Sequence, residues 1–203
     1  MKSIDPSHLS DRENYKFLTG SVIPRPVAFV TSLSKEGILN AAPFSYFNVV
    51  CSSPPLISVS VQRSNGNQKD TARNAMEAGE FVVHISDESY VEAINITAAS
   101  LPPDESEVEL ASLTPVESTS VGVPGLQEAN IRLECVLDQS IPLGGTSENP
   151  ACDLLIGRVV HYHIKEELYE KGRIDAVGLK PVSRLAGNNY SRLGDIFTLD
   201  RPK

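Results

Sequence analysis

The stretch Leu56-Ile57-Ser58-Val59-Ser60-Val61 places the strongest constraint on the fold. It alternates so strictly that Ile57, Val59 and Val61 share one face of a strand and the small serines share the other. Such a strand suits a sheet or barrel with one packed face and a second face occupied by something else. Further β-rich runs lie at Val27 to Ser32, Phe81 to Ile85, Ala129 to Leu137 and Asp153 to Ile164, whereas helical signals are confined to two or three segments. Many short strands with few helices favour a mainly β, barrel-centred fold over a doubly wound sheet.

Local punctuation sets the element boundaries. Pro24 and Pro26 fix an extended entry, so the first strand should start at about Val27, and Lys35-Glu36-Gly37 reads as a tight turn. Asp70 or Thr71 can cap a helix running to about Ala78, with Gly79 as its stop. Ser89 and Glu92 have capping-box spacing for a second helix over Tyr90 to Ala98. Residues 100–112 are acidic and proline-bearing and read as a surface excursion with a short helical piece, in which Asp104, Glu105, Glu107 and Glu109 are solvated. Leu143-Gly144-Gly145 separates two later strands, and a last short apolar strand is expected after residue 190.

The 203 residues suit a single domain over 1–203, and a formal net charge of −8 argues against a broad nucleic-acid footprint. Cys51, Cys135 and Cys152 are odd in number and lack metal-ligand spacing, as expected of reduced thiols in a cytoplasmic protein. The N-terminus has no apolar signal core and no long apolar run exists, so neither secretion nor a membrane span is expected. The four histidines lack HExxH spacing; His161 and His163 share a strand face but have no cysteine or carboxylate near them in sequence, so no metal is expected. No GxGxxG, Walker or GxSxG motif is present.

Two segments carry candidate chemistry. QRSNGNQKDTARN at 62–74 is either a solvated turn or an anion-binding junction. In the second reading, amides at the helix start act with Arg63, Lys69 and Thr71 on a phosphate, while Asp70 organises the loop. NAAPFSYFN at 40–48 is either a core crossing of Phe44, Tyr46 and Phe47 or a pocket lining. As a lining, Asn40, Ser45 and Asn48 supply polar groups, and Ala41-Ala42-Pro43 leaves room for a flat aromatic ligand.

Together, RPVAFVTS at 25–32, NAAPFSYFN, QRSNGNQKDTARN and RLAGNNY at 184–190 resemble the flavin reductase-like, FMN-binding split-barrel proteins, including flavoredoxin-type members, from about residue 20 to 199. The resemblance implies a Greek-key split β-barrel with a few peripheral helices, forming a homodimer that binds FMN near the subunit interface. It implies that Thr31 and Ser32 face the flavin, and that Asn40, Ala41, Ser45, Tyr46 and Phe47 line its ring and ribityl chain. Arg63, Lys69, Asp70 and Thr71 fall on the phosphate-side loop, and Arg184 and Tyr190 on a substrate or interface motif. That late motif has Ala186-Gly187 where members often have two glycines. The implied activity is reduction of FMN by NADH or NADPH, with electrons passed to free flavin, another protein or a small acceptor, and with no catalytic side chain required. The alternatives are an electron carrier without nicotinamide turnover and a non-catalytic binding or regulatory barrel.

Overall fold

The computed structural model describes residues 1–99 and 101–202. Ser100, the first residue of the acidic excursion, and Lys203, the last of the expected domain, lie outside them. The helices are α1 (Asp11–Ser21), α2 (Asp70–Ala78), α3 (Val91–Ile96), α4 (Glu107–Leu110) and α5 (Ala176–Leu179). The first strands are β1 (Arg25–Pro26), β2 (Ala28–Leu33), β3 (Leu39–Phe44), β4 (Phe47–Ser52), β5 (Pro55–Gln62) and β6 (Glu80–Ile85). The later ones are β7 (Pro115–Val116), β8 (Gly125–Leu126), β9 (Ile131–Leu143), β10 (Cys152–Ile164), β11 (Tyr169–Glu170), β12 (Arg173–Ile174), β13 (Ser183–Arg184) and β14 (Tyr190–Ser191).

The main sheet has seven strands in the order β3-β2-β6-β9-β10-β5-β4, all neighbours antiparallel. Its two edge strands, β3 and β4, are separated in sequence only by Ser45 and Tyr46. Laid flat, six inter-strand gaps would part them by about 29 Å. The three Cα steps from Phe44 to Phe47 reach at most about 11 Å. The sheet must therefore curl until its edges face one another without pairing, which is a split barrel.

The barrel interior holds Ala28, Val30, Ile57, Val59, Val61, Phe81, Val83, Leu133, Cys135 and Leu155, so the alternation of β5 is realised as read. Gly157 on β10 faces Phe81, and a β-carbon there would stand 2.5 Å from the ring Cζ. A second cluster outside the barrel joins Phe29, Ala41, Tyr90, Ile94, Val108 and Leu126.

Residues 115–126 cross the outer face of β2, β6 and β9 and are fastened there by side chains. Thr31 Oγ1 donates to the Pro124 carbonyl at 2.8 Å, and the Gly122 amide donates to Glu80 at 2.6 Å. Glu134, buried, accepts the amides of Thr119 and Ser120 at 2.7 and 2.6 Å and pairs with His163 at 2.5 Å. His163 thus has a carboxylate beneath it, supplied by the neighbouring strand and invisible in its own.

Two expectations are corrected, and one element was missed. The Ser89–Glu92 capping box does not form: Ser89 turns its amide and hydroxyl to Asp87 Oδ1, and the helix runs only from Val91 to Ile96. No strand follows β14, since residues 192–202 have no regular element. Helix α1 was not foreseen, although Ser10 and Glu13 form the reciprocal capping box that S-x-x-E spacing announces.

Candidate functional site

The junction between β5 and α2 is the centre of the site. Helix α2 starts at Asp70 with Lys69 as N-cap, and no side chain caps it. Neither Asp70 nor Thr71 takes the capping role expected of them: Asp70 pairs with Arg73 at 2.6 Å, and Thr71 is buried with its hydroxyl bonded to Asn40. The Lys69 carbonyl accepts from Ala72 and Arg73, and among the described residues the amides of Asp70 and Thr71 have no backbone partner at the positive end of the helix. Lys69 is exposed and forms no ion pair among the described residues. At the other end of α2, Gly79 adopts the left-handed conformation that stops the helix, as read from the sequence.

This helix end borders a cavity of about 420 Å³ lined by Asn40, Ala42, Pro43, Lys69, Thr71 and Glu107, among others. Its floor is a buried polar relay. Asn74 Nδ2 donates to Ser32 Oγ at 3.5 Å, Ser32 Oγ to Asn40 Oδ1 at 3.3 Å, and Thr71 Oγ1 to the same oxygen at 2.8 Å. Asn40 Nδ2 donates to Glu107 Oε2 at 2.9 Å, and that oxygen also accepts the Ala41 amide at 3.3 Å.

Glu107 corrects the reading of the acidic excursion as wholly solvated. It is 6% exposed, and burial raises its carboxyl pKa, with Asp70 acting in the same direction and the bonds from Ala41 and Asn40 opposing. The clue lay in the next residue, since Val108 of α4 packs into the second cluster and carries Glu107 inward.

A second cavity of about 440 Å³ follows directly along the chain, where β3 ends. Ser45, Tyr46, Phe47 and Asn48 line it together with Leu18, Val22 and Arg25. Burial raises the Tyr46 phenol, with Tyr15 adding and Arg25 opposing. The segment 40–48 combines the two alternatives: Phe44 packs in the barrel core and Phe47 against it, while Ser45, Tyr46 and Asn48 line the second cavity.

Arg25, which no sequence argument singled out for a role, is buried and ties the surroundings together. It donates to the carbonyls of Thr19 at 2.8 Å, Val22 at 2.6 Å and Leu185 at 3.0 Å, and approaches Ser45 Oγ at 3.5 Å.

The remaining expected residues lie elsewhere or are engaged. Arg63 is clamped on buried Asp153, Nε to Oδ2 at 3.0 Å and Nη2 to Oδ1 at 2.7 Å, and does not line the cavity beside Lys69. Thr31 gives its hydroxyl to Pro124, and the Ala41 side chain packs in the second cluster. Arg184 stacks over Tyr190 at 4.6 Å across the β13–β14 hairpin and donates to the Gly187 carbonyl at 2.6 Å, so the pair braces its own turn and lines neither cavity.

The flavin reductase like domain model matches residues 19–178. YwrF of Bacillus subtilis is 59% identical over 196 residues, covering 96% of each chain. The crystal structure of nitrilotriacetate monooxygenase component B from Bacillus cereus is 69% identical, covers 98% of each chain and superposes with a TM-score of 0.97. That of the Pseudomonas fluorescens 2-nitrobenzoate 2-nitroreductase NbaA is 34% identical, covers 99% of this chain and 96% of its own, and gives a TM-score of 0.89. A model matching most of the chain, a near-superimposable relative and a barrel split beside the uncapped α2 lead to one assignment: the chain belongs to the flavin reductase-like, FMN-binding split-barrel family.

Proposed function

We propose that this protein holds FMN across the two cavities that β3 connects, reduces it with NADH or NADPH, and delivers the electrons to free flavin or another acceptor. The observation that carries the reading is the open end of α2, where Lys69 and the amides of Asp70 and Thr71 have no partner among the described residues at a cavity mouth. These donors suit a phosphate dianion. Small and apolar residues of β3, then Ser45, Tyr46 and Phe47, suit a flat ring with a few polar edges.

When bound, the flavin supplies the hydride- and electron-accepting centre. The chain's own residues bind and orient it. Lys69 neutralises the phosphate, Asp70 holds Arg73 on the first turn of α2, and Arg63 anchors the loop to β10 through Asp153. Thr31 and Ala41 contribute through their backbone, and Ser32 and Asn40 through the buried relay. Arg184 and Tyr190 fix the late hairpin that Arg25 joins to α1.

Delivery of reduced flavin to a separate protein is supported by the component B relative, whose designation makes it one part of a monooxygenase. The whole chain acts as one domain, in the cytoplasm, as a homodimer. The dimer reading is supported by edge strand β4, where Val49 and Val50 are 71% and 51% exposed and where Asn48 lines a cavity with exposed Leu18 and Val22. No described helix is long and apolar enough to cross a membrane.

Purified protein should show a flavin spectrum or take up added FMN at micromolar or tighter concentration. Anaerobic mixing of the holoprotein with NADH or NADPH should then bleach the flavin. Failure to bind FMN rejects the cofactor assignment, and binding without bleaching by either nucleotide leaves an electron carrier in place of a reductase.

A further inference from the structure

The Glu107–Asn40–Thr71 relay has a direction, and that direction decides which part of a ligand can meet Thr71. A carboxylate only accepts hydrogen bonds, so the two N–H groups converging on Glu107 Oε2 are the Ala41 amide and the Asn40 side-chain NH₂. Asn40 is thereby oriented with Oδ1 toward Thr71 and Ser32, and its two ends are not interchangeable. Thr71 has one hydroxyl proton, and it is spent on Asn40 Oδ1 at 2.8 Å. Ser32, Asn40, Thr71, Asn74 and Glu107 are all buried, and Asn40 Oδ1 gives the Thr71 proton its acceptor within the relay. What Thr71 Oγ1 has left is lone-pair density, and a phosphate oxygen would be repelled there.

Resting on the FMN reading above, we propose that Glu107 is a positioning residue that sets the Asn40 amide and so makes the Thr71 hydroxyl an acceptor. This wall then takes a hydroxyl of the cofactor's polyol chain, while the phosphate goes to Lys69 and the free amides of α2. The expectation that Thr71 donates to the phosphate is thereby replaced.

The test compares apoprotein binding of FMN, riboflavin, which keeps the polyol but lacks the phosphate, and lumiflavin, which lacks both. Thr71→Val should weaken FMN and riboflavin alike, about tenfold for a lost hydrogen bond, and leave lumiflavin unchanged. Loss confined to FMN would make Thr71 a phosphate ligand and overturn the proposal. Glu107→Gln keeps an acceptor oxygen and should stay within about threefold of wild type, whereas Glu107→Leu should cost riboflavin about tenfold. Adding Thr71→Val to Glu107→Leu should then cost little more, because both act on one hydrogen bond. Fully additive losses overturn the relay.

A flavin-free readout separates this from the cofactor assignment. In the apoprotein, the Asn40 side-chain amide resonances should move in Glu107→Leu and hold in Glu107→Gln. Unmoved resonances in Glu107→Leu sink the proposal even where FMN binds, while wild-type protein that binds no flavin sinks the cofactor reading on which it rests.

Discussion

His84 accepts the Leu126 amide on Nε2 at 3.0 Å, and because an amide only donates, that nitrogen carries no proton. The ring is therefore the neutral tautomer with its proton on Nδ1, which donates to the Phe29 carbonyl at 2.9 Å. Burial lowers the His84 pKa from 6.5 to about 4, with Arg132 acting in the same direction and the Phe29 bond opposing. The unfolded chain takes up a proton near 6.5 and the folded one does not until about 4. Stability is thus unchanged by this group above 6.5 and falls as pH drops between those values. The loss should total roughly 3 kcal/mol, at about 1.4 kcal/mol per pH unit. Urea midpoints at pH 7.5, 6, 5 and 4.5 would show it, and His84→Gln should remove that share of the slope.

Gly157 is required by the Phe81 ring rather than by a turn. A methyl group at 2.5 Å from Cζ forces the ring or β10 to shift within the barrel core. Gly157→Ala should destabilise by about 1–3 kcal/mol, the usual cost of overpacking. Partial recovery in Gly157→Ala with Phe81→Leu, read by thermal or urea unfolding, would locate the strain at that contact; equal loss with and without the second change would place it elsewhere.

The elements legible in the sequence are those whose cause is local. Strict alternation at Ile57, Val59 and Val61 and the Gly79 stop each depend on a few neighbours, and each is realised, whereas the first strand is Arg25–Pro26, within the proline entry, and β2 follows from Ala28. The site was half legible for the same reason. Lys69 and the lining segment are contiguous in sequence, but Glu107 reaches Asn40 across 67 positions and Arg63 reaches Asp153 across 90. Composition made Glu107 look solvated, and only the packing of α4 turns it inward. Ser89 shows the converse: its local capping pattern was present, but Asp87 supplied a nearer acceptor.

Lys69 is the one phosphate donor of the three side chains proposed from the sequence that remains uncommitted. Lys69→Ala should weaken FMN roughly 10- to 100-fold, the range of a charge-assisted hydrogen bond, and leave riboflavin within about threefold. Fluorescence titration of both flavins decides it. Equal weakening of the two would show that Lys69 does not read the phosphate. Arg63→Leu should act differently: by leaving Asp153 buried and unpaired it should lower the urea midpoint, with similar effects on both flavins.

Edge strand β4 leaves Val49 and Val50 in solvent, and among the described residues its outer backbone groups have no partner strand. A second copy of the chain is the occupant that the proposed dimer supplies. Val49→Lys places a charge on that edge at a position that is 71% exposed. The folded chain should then move from dimer to monomer in light scattering, with its far-ultraviolet dichroism unchanged. FMN affinity should fall along with dimer content if the second cavity, lined by the adjoining Phe47 and Asn48, needs the partner copy to close it. A dimer that persists in Val49→Lys and also in Val50→Lys would remove β4 from the interface.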